Sequence, residues 1–243
     1  MGRVRGQKVF RFPNGWGGNR KHDWARRQKR RGIRIPVPHD RRGEVSARYP
    51  VHVTMRLQAG LPCLRDTRTF EVVQEALVKG SDRFGFRLVQ FSMQTNHLHL
   101  IVEAQDRKAL SKGMQGLTIR VAKALNKLWR RRGKVFAERY HDVTLRSPRQ
   151  VRNTLLYVMN NRFRHGERPG KQRRPDPFSS GRWFDGWRDF DVPHEQRVRN
   201  PLPYADGYLL AKLWRRHGLL RIHETPASSR ARPPSRATRS SWA

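Results

Sequence analysis

Acidic residues are scarce in this chain: nineteen Asp and Glu stand against fifty-three Lys and Arg, for a formal net charge of +34. A compact state with that excess repels itself unless a polyanion or counterions screen it, and nucleic acid is the natural partner. Charge alone would also admit a ribosomal or membrane-surface role. No run of about 18 apolar residues occurs, so a spanning helix is excluded. The opening MGRVRGQKVFRF lacks the apolar centre of a signal peptide, and a cytoplasmic, nucleoid-associated location away from membranes is expected. Cysteine is almost missing. Cys63 alone excludes an internal disulfide and any cysteine-cluster zinc site, and within the apolar-flanked LPCL it reads as a packing or loop residue. Hydrophobic residues make up 36% of the 243, which suits one folded domain with appendages. There is no internal repeat.

The cations that are present lean toward arginine, whose guanidinium fork matches phosphate oxygens and guanine edges. Residues 1–47 read as a basic arm: RKHDWARRQKRRG and its neighbours carry Gly, Pro and clustered charge without a sustained apolar period. The end of the chain, from residue 225, is rich in Ser, Arg and Pro and reads as a disordered tail. Between them the pattern sharpens. VHVTMRL alternates Val51, Val53, Met55 and Leu57 with polar residues, the period of a half-buried strand. Phe70, Val73 and Leu77 form a helical stripe closed by Gly80. FGFRLVQFSM and HLHLIVEA are two strand-like runs separated by QTN, which predicts antiparallel neighbours. Leu110, Met114, Leu117, Val121, Leu125 and Leu128 then mark a long amphipathic helix with a cationic flank. A short strand follows in VFAERYHDVTLR. The last helix of the domain has Ser147 as its cap, Pro148 at its first position and Gly166 past its end. This order predicts an α+β domain over residues 48–166: a ferredoxin-like β-α-β-β-α-β antiparallel sheet with an added C-terminal helix, and a basic arm at each end. Helices on one face would leave the other face to a ligand.

Within NHLHLIVEA, His97 and His99 lie two apart, so on a strand they project to one side while Leu98, Leu100 and Val102 project to the other. Two neutral imidazoles so placed can share a divalent ion, with a third donor completing a site that stays open to substrate oxygens. They can equally be two hydrogen-bonding groups on a polar sheet face. Tyr157 and Asn161, four apart in YVMNN, would share one side of a helix, about 40° apart around its axis. A phenol with a pKa of about 10 is a poor nucleophile at neutral pH, and a polarising metal with nearby arginines would lower the barrier to its attack on a phosphate.

MQTNHLHLIVEA followed by GKVFAERYHDVTLRSPRQVRNTLLYVMNNRFRHG resembles the single-tyrosine HUH transposases, in particular the IS200-like and REP-associated group. HUH denotes His, a hydrophobic residue and His, here His97, Leu98 and His99. The resemblance implies that the pair binds Mg2+ or Mn2+ from a central strand and that Tyr157 attacks a phosphodiester of single-stranded or hairpin DNA. It implies a 5′-phosphotyrosine, a free 3′-hydroxyl, and Asn161 as the third metal ligand. Where related sequences often read NP after the helical turn, this chain has NNRF, so the helix is expected to run on to His165. MQTNH likewise stands for the more usual MPNH.

Arg146, Arg149 and Arg152 at the start of the tyrosine helix, and Arg162 and Arg164 after it, are candidates to neutralise DNA phosphates. Trp129 and Phe136 read as core rather than base-stacking residues, and His141 and His165 show no partner spacing. Residues 167–224 read as an extension, with aromatics in DPFSSGRWFDGW and one further helix in GYLLAKLWRRHGLL. A homodimer is possible on this reading. The rivals are an RRM-like binder, disfavoured because the central strands lack its aromatic set, and a domesticated or inactive family member that only binds nucleic acid.

Overall fold

A computed structural model of the chain describes residues 43–161 and 174–225. Most of the arm, residues 1–42, and the tail from residue 226 lie outside the described residues, as do Arg162, Arg164, His165 and Gly166. Strand β1 (Val51–Arg56) buries Val51, Val53 and Met55 on one side, as alternation requires. Helix α1 (Thr67–Val78) is capped by Asp66, whose side chain accepts from the Thr69 N–H, and it buries Phe70, Val73 and Leu77. The chain returns through a two-residue strand β2 (Asp82–Arg83), then β3 (Phe86–Met93) and β4 (His97–Ala104). Helix α2 (Arg107–Leu128), capped by Asp106, keeps Leu110, Met114, Leu117, Val121 and Leu125 on its buried stripe. Strand β5 (His141–Thr144) and helix α3 (Pro148–Met159) follow. Ser147 and Gln150 close a capping box at the start of α3, with Pro148 in its first turn.

The sheet order is β2-β3-β4-β1-β5, with antiparallel pairing throughout. This is the ferredoxin-like α+β arrangement, with β2 as a small edge strand too short to leave a periodic trace in the sequence. Val53, Leu88, Phe91, Leu98, Leu100 and Val102 meet the stripes of α1 and α2 in one core cluster, which also contains Phe136. Gly113 lets α2 approach closely: a Cβ there would overlap the buried Phe86 ring. Gly113→Ala should therefore lower the thermal midpoint. Overpacking costs about 1–3 kcal/mol, against a helix-propensity gain of about 1 kcal/mol; an unchanged or raised midpoint would show that the ring can move aside.

The second face of the sheet is not left open, contrary to the sequence-based expectation. Ile101 and Val89 are buried there, and apolar side chains on that face require cover. Helix α3 supplies some of it with Val151, Leu155, Val158 and Met159. The C-terminal residues add Phe184, Trp187 and Trp214, with the Phe184 and Trp214 rings stacked at 5.8 Å. Beyond a short exposed helix α4 (His194–Val198), the single helix expected near residue 208 is broken into α5 (Tyr208–Ala211) and a 3-10 turn, Leu213–His217. Trp214, within that turn, is buried and stacks on Phe184.

Polar ties hold this layer down. Asp176, fully buried, pairs with Arg65, which also donates to the Met93 carbonyl. Glu103 on β4 accepts from the N–H groups of Asp206 and Gly207. Burial raises the Glu103 carboxyl above its ordinary value of 4.5, more than the two backbone donors lower it. A raised native pKa means the folded state holds the proton longer, so this group's contribution to stability is full below about pH 4.5 and is lost as pH rises through the native pKa. Glu103→Gln should flatten that part of the stability–pH curve in urea titrations; an unaltered slope would assign it to another group.

Helix α3 ends earlier than expected. Its last α-helical residue is Met159, and Asn160 caps it, donating through its carboxamide to the Arg221 and Glu224 carbonyls. The C-terminal layer thus claims the residue that would have continued the helix, and Asn161, the last described residue of this segment, follows in a 3-10 conformation.

Candidate active site

Strand alternation and ladder register build the site on the second face. Thr54 pairs with His99, Arg56 with His97, Ser92 with His99, and Thr54 with His141 across β5. Cross-strand partners project to the same side. His52, two residues before Thr54, projects there too. The result is four imidazoles on three adjacent strands, of which the sequence reading had selected two. His141, given no role from spacing, sits at the exposed rim. The alternation of His52 with Val51 and Val53 was visible in VHVTMRL, but the register that sets His52 beside His99 was not.

The imidazoles of His97 and His99 meet edge to face, with centroids 4.7 Å apart. The His97 Nδ1 lies 2.9 Å from the Asn96 Oδ1. The His99 Nδ1 lies 3.1 Å from the His52 Nε2 and 3.2 Å from the Thr54 Oγ1. Complete burial lowers the His52 pKa from 6.5 to about 3, with the charges of His141 and His97 adding to the effect. His52 is therefore neutral at physiological pH.

Helix α3 carries Tyr157 over this cluster. Its ring stands edge-on to His99 at 5.0 Å and to His52 at 5.9 Å. The phenol and His99, 58 residues apart in sequence, are thus in direct ring contact, and Tyr157 is 7% exposed. Asn161 is buried as well, with its Nδ2 unpartnered among the described residues. Its backbone lies just past Met159, the last α-helical residue, in a 3-10 position.

The donor set suits a divalent ion. Both histidines are anchored through Nδ1, which directs Nε2 of each away from its anchor, and the buried Asn161 carboxamide carries an oxygen of the kind such an ion accepts, although the end left unpartnered is its Nδ2. Among the described residues no group of three His, Cys, Asp or Glu is placed to hold a metal.

The arginines divide. Arg146 and Arg149 are exposed, with the Arg146 guanidinium 5.4 Å from the Tyr49 ring centroid. Arg152 turns inward: it grips both carboxylate oxygens of Glu224 at 2.8 and 2.9 Å and donates to the Gly218 and Leu219 carbonyls. Its fork holds the C-terminal segment. Arg56, exposed and directly across from His97, was missed and is better placed. Cys63 lies exposed in a loop. No helix among the described residues is long and apolar enough to cross a membrane.

Fold and site together define a ferredoxin-like domain that sets one tyrosine against a His-hydrophobic-His strand. The family model described as "Transposase IS200 like" matches residues 46–161. This domain, residues 46–161, is of the IS200-like transposase family. Among solved structures, a REP-associated tyrosine transposase bound to a REP hairpin is 16% identical with a TM-score of 0.48, over 70% of this chain and 90% of that one. A Deinococcus radiodurans R1 structure assigned as a transposase is 12% identical with a TM-score of 0.32, over 46% and 87%. A bacterial tRNA(His) guanylyltransferase-like protein in complex with ATP is 14% identical with a TM-score of 0.37, over 63% and 72%. No curated protein matches the chain.

Proposed function

We infer that this protein cleaves and rejoins single-stranded DNA at hairpin-bearing ends, using Tyr157 as the nucleophile. The observation that carries the reading is the ring contact between Tyr157 and His99 on a face where His97, His52 and Arg56 converge. The Tyr157 hydroxyl oxygen attacks phosphorus, the bond to the 3′-oxygen breaks, and that oxygen leaves as a 3′-hydroxyl while the phenolic proton is lost. The 5′-phosphotyrosine keeps the bond energy of one phosphodiester, so a later 3′-hydroxyl attack reseals the strand without ATP. His97, His99 and Asn161 would hold Mg2+ or Mn2+, which when bound polarises the scissile phosphate. Arg56, Arg146 and Arg149 would neutralise neighbouring phosphates, and Arg162 and Arg164 extend the same basic tract along the chain. The DNA would be met in the cytoplasm, at the nucleoid.

The reading is tested by incubating the full chain with a hairpin-bearing single strand and Mn2+ and resolving the products on a denaturing gel. A protein–DNA band resistant to denaturant is expected, and it should fall by at least about tenfold in His97→Ala, the usual order of loss when a metal-site interaction is removed. Undiminished, still metal-dependent adduct formation by that variant would remove His97 from the site.

A further inference from the structure

The geometry points to His52 as a positioning residue: its imidazole accepts the Nδ1 proton of His99 and so holds His99 in the tautomer whose Nε2 lone pair faces the metal position. Neutral imidazole has one proton and two nitrogens, and only the bare nitrogen can coordinate a cation. Which one is bare depends on the partner of the other. The His99 Nδ1 has two protein partners on β1, the His52 Nε2 at 3.1 Å and the Thr54 Oγ1 at 3.2 Å. The His52–His99 bond is buried and the two rings stack at 5.2 Å with 29° between their planes, so their relative orientation is restrained by packing as well as by the hydrogen bond.

Two arrangements satisfy that bond. Either His99 donates from Nδ1, or His52 donates from Nε2 and leaves His99 protonated at Nε2, where it cannot bind a cation. His97 decides between them by analogy within the same site. Its Nδ1 faces the Asn96 Oδ1 at 2.9 Å, and a carboxamide oxygen only accepts, so His97 carries its proton on Nδ1. Both histidines of the pair are anchored through the same nitrogen, one by a turn residue and the other by His52. A matched pair of Nε2 lone pairs follows only if His52 accepts, with its own proton on Nδ1. His52 also meets the Tyr157 ring edge-on, so the same side chain braces the phenol against the histidine it orients.

This inference rests on the reading of His97 and His99 as metal ligands. It predicts something that reading alone does not. In full-length protein labelled with 15N at histidine, long-range proton–nitrogen correlation spectra should show His99 protonated at Nδ1 and bare at Nε2 before any metal is added. His52→Ala should give a mixture of His99 tautomers and weaken Mn2+ binding, measured by electron paramagnetic resonance titration, by about 10–100-fold. His52→Gln, whose Oε1 reaches near the position of the lost Nε2 and can only accept, should restore both the tautomer and most of the affinity. A wild-type spectrum with His99 protonated at Nε2 overturns the inference, as does an unaltered tautomer and Mn2+ affinity in His52→Ala. If His52→Ala fails to fold, the wild-type spectrum and His52→Gln still decide, because a Gln variant that folds yet binds Mn2+ no better than a His99→Ala control contradicts an accepting role. Wild-type Mn2+ affinity in His97→Ala would instead defeat the metal reading, and the tautomer spectrum separates the two failures.

Discussion

The Tyr157→Phe protein is expected to form no covalent DNA adduct and to cleave a hairpin-bearing single strand at least about 10^3-fold more slowly than wild type, the scale of loss when a nucleophile is deleted. The substitution removes one oxygen and keeps the ring. Because the ring edge against His99 and His52 is preserved, the packing of α3 on the sheet should survive, with stability changed by about 1 kcal/mol at most. DNA affinity, carried by cations elsewhere, should change by no more than a few fold. The separation of these readouts gives the test its force: a folded variant that binds but does not react isolates the hydroxyl. Cleavage by Tyr157→Phe at the wild-type rate would show that water or another residue attacks, and the domain would then act through its histidines without a tyrosyl intermediate.

Asp176→Ala should be the most destabilising single change in the C-terminal layer. The carboxylate is fully buried and takes two hydrogen bonds from Arg65, at 2.9 and 3.1 Å, and one from the Phe178 N–H. Removing it leaves a largely buried guanidinium without its counter-charge, which costs about 3–5 kcal/mol. For a folded unit of this size that corresponds to a fall in melting temperature on the order of 10 °C. Arg65 also binds the Met93 carbonyl and lies over the Phe178 ring, so the pair joins the end of β3 to the segment that runs beside it. That end of β3 leads through Gln94 to Asn96 and His97, and loosening it should blunt cleavage even at temperatures where the variant is folded. A double change, Arg65→Met with Asp176→Leu, should recover part of the lost stability because no lone charge stays buried. A shift of less than about 2 °C in Asp176→Ala would mean that apolar packing alone secures the layer.

The hairpin of β3 and β4, the two long helices and the capped start of α3 were all legible as periodicity, because each buries one side against a continuous core and so repeats every two or every three to four residues. Their order was enough to predict the sheet. Elements without a period were not legible. Strand β2 has two residues, and the C-terminal layer is held by isolated anchors such as Trp214, Asp176 and Glu103, whose partners are distant along the chain. The early end of α3 has the same origin, since Asn160 is held by carbonyls more than 60 residues later.

The site divides along the same line. Local alternation determined that His97 and His99 share a side, which follows from backbone geometry within a few residues, whereas Tyr157 was singled out by the resemblance that NHLHLIVEA and YVMNN carry. Only the tertiary structure decided that β1 lies beside β4 in the register that brings His52 to the Nδ1 of His99, that Arg152 serves Glu224, and that Arg56 stands across from His97. Register and layer packing are settled by the sum of many distant contacts, and no short stretch of residues carries that sum.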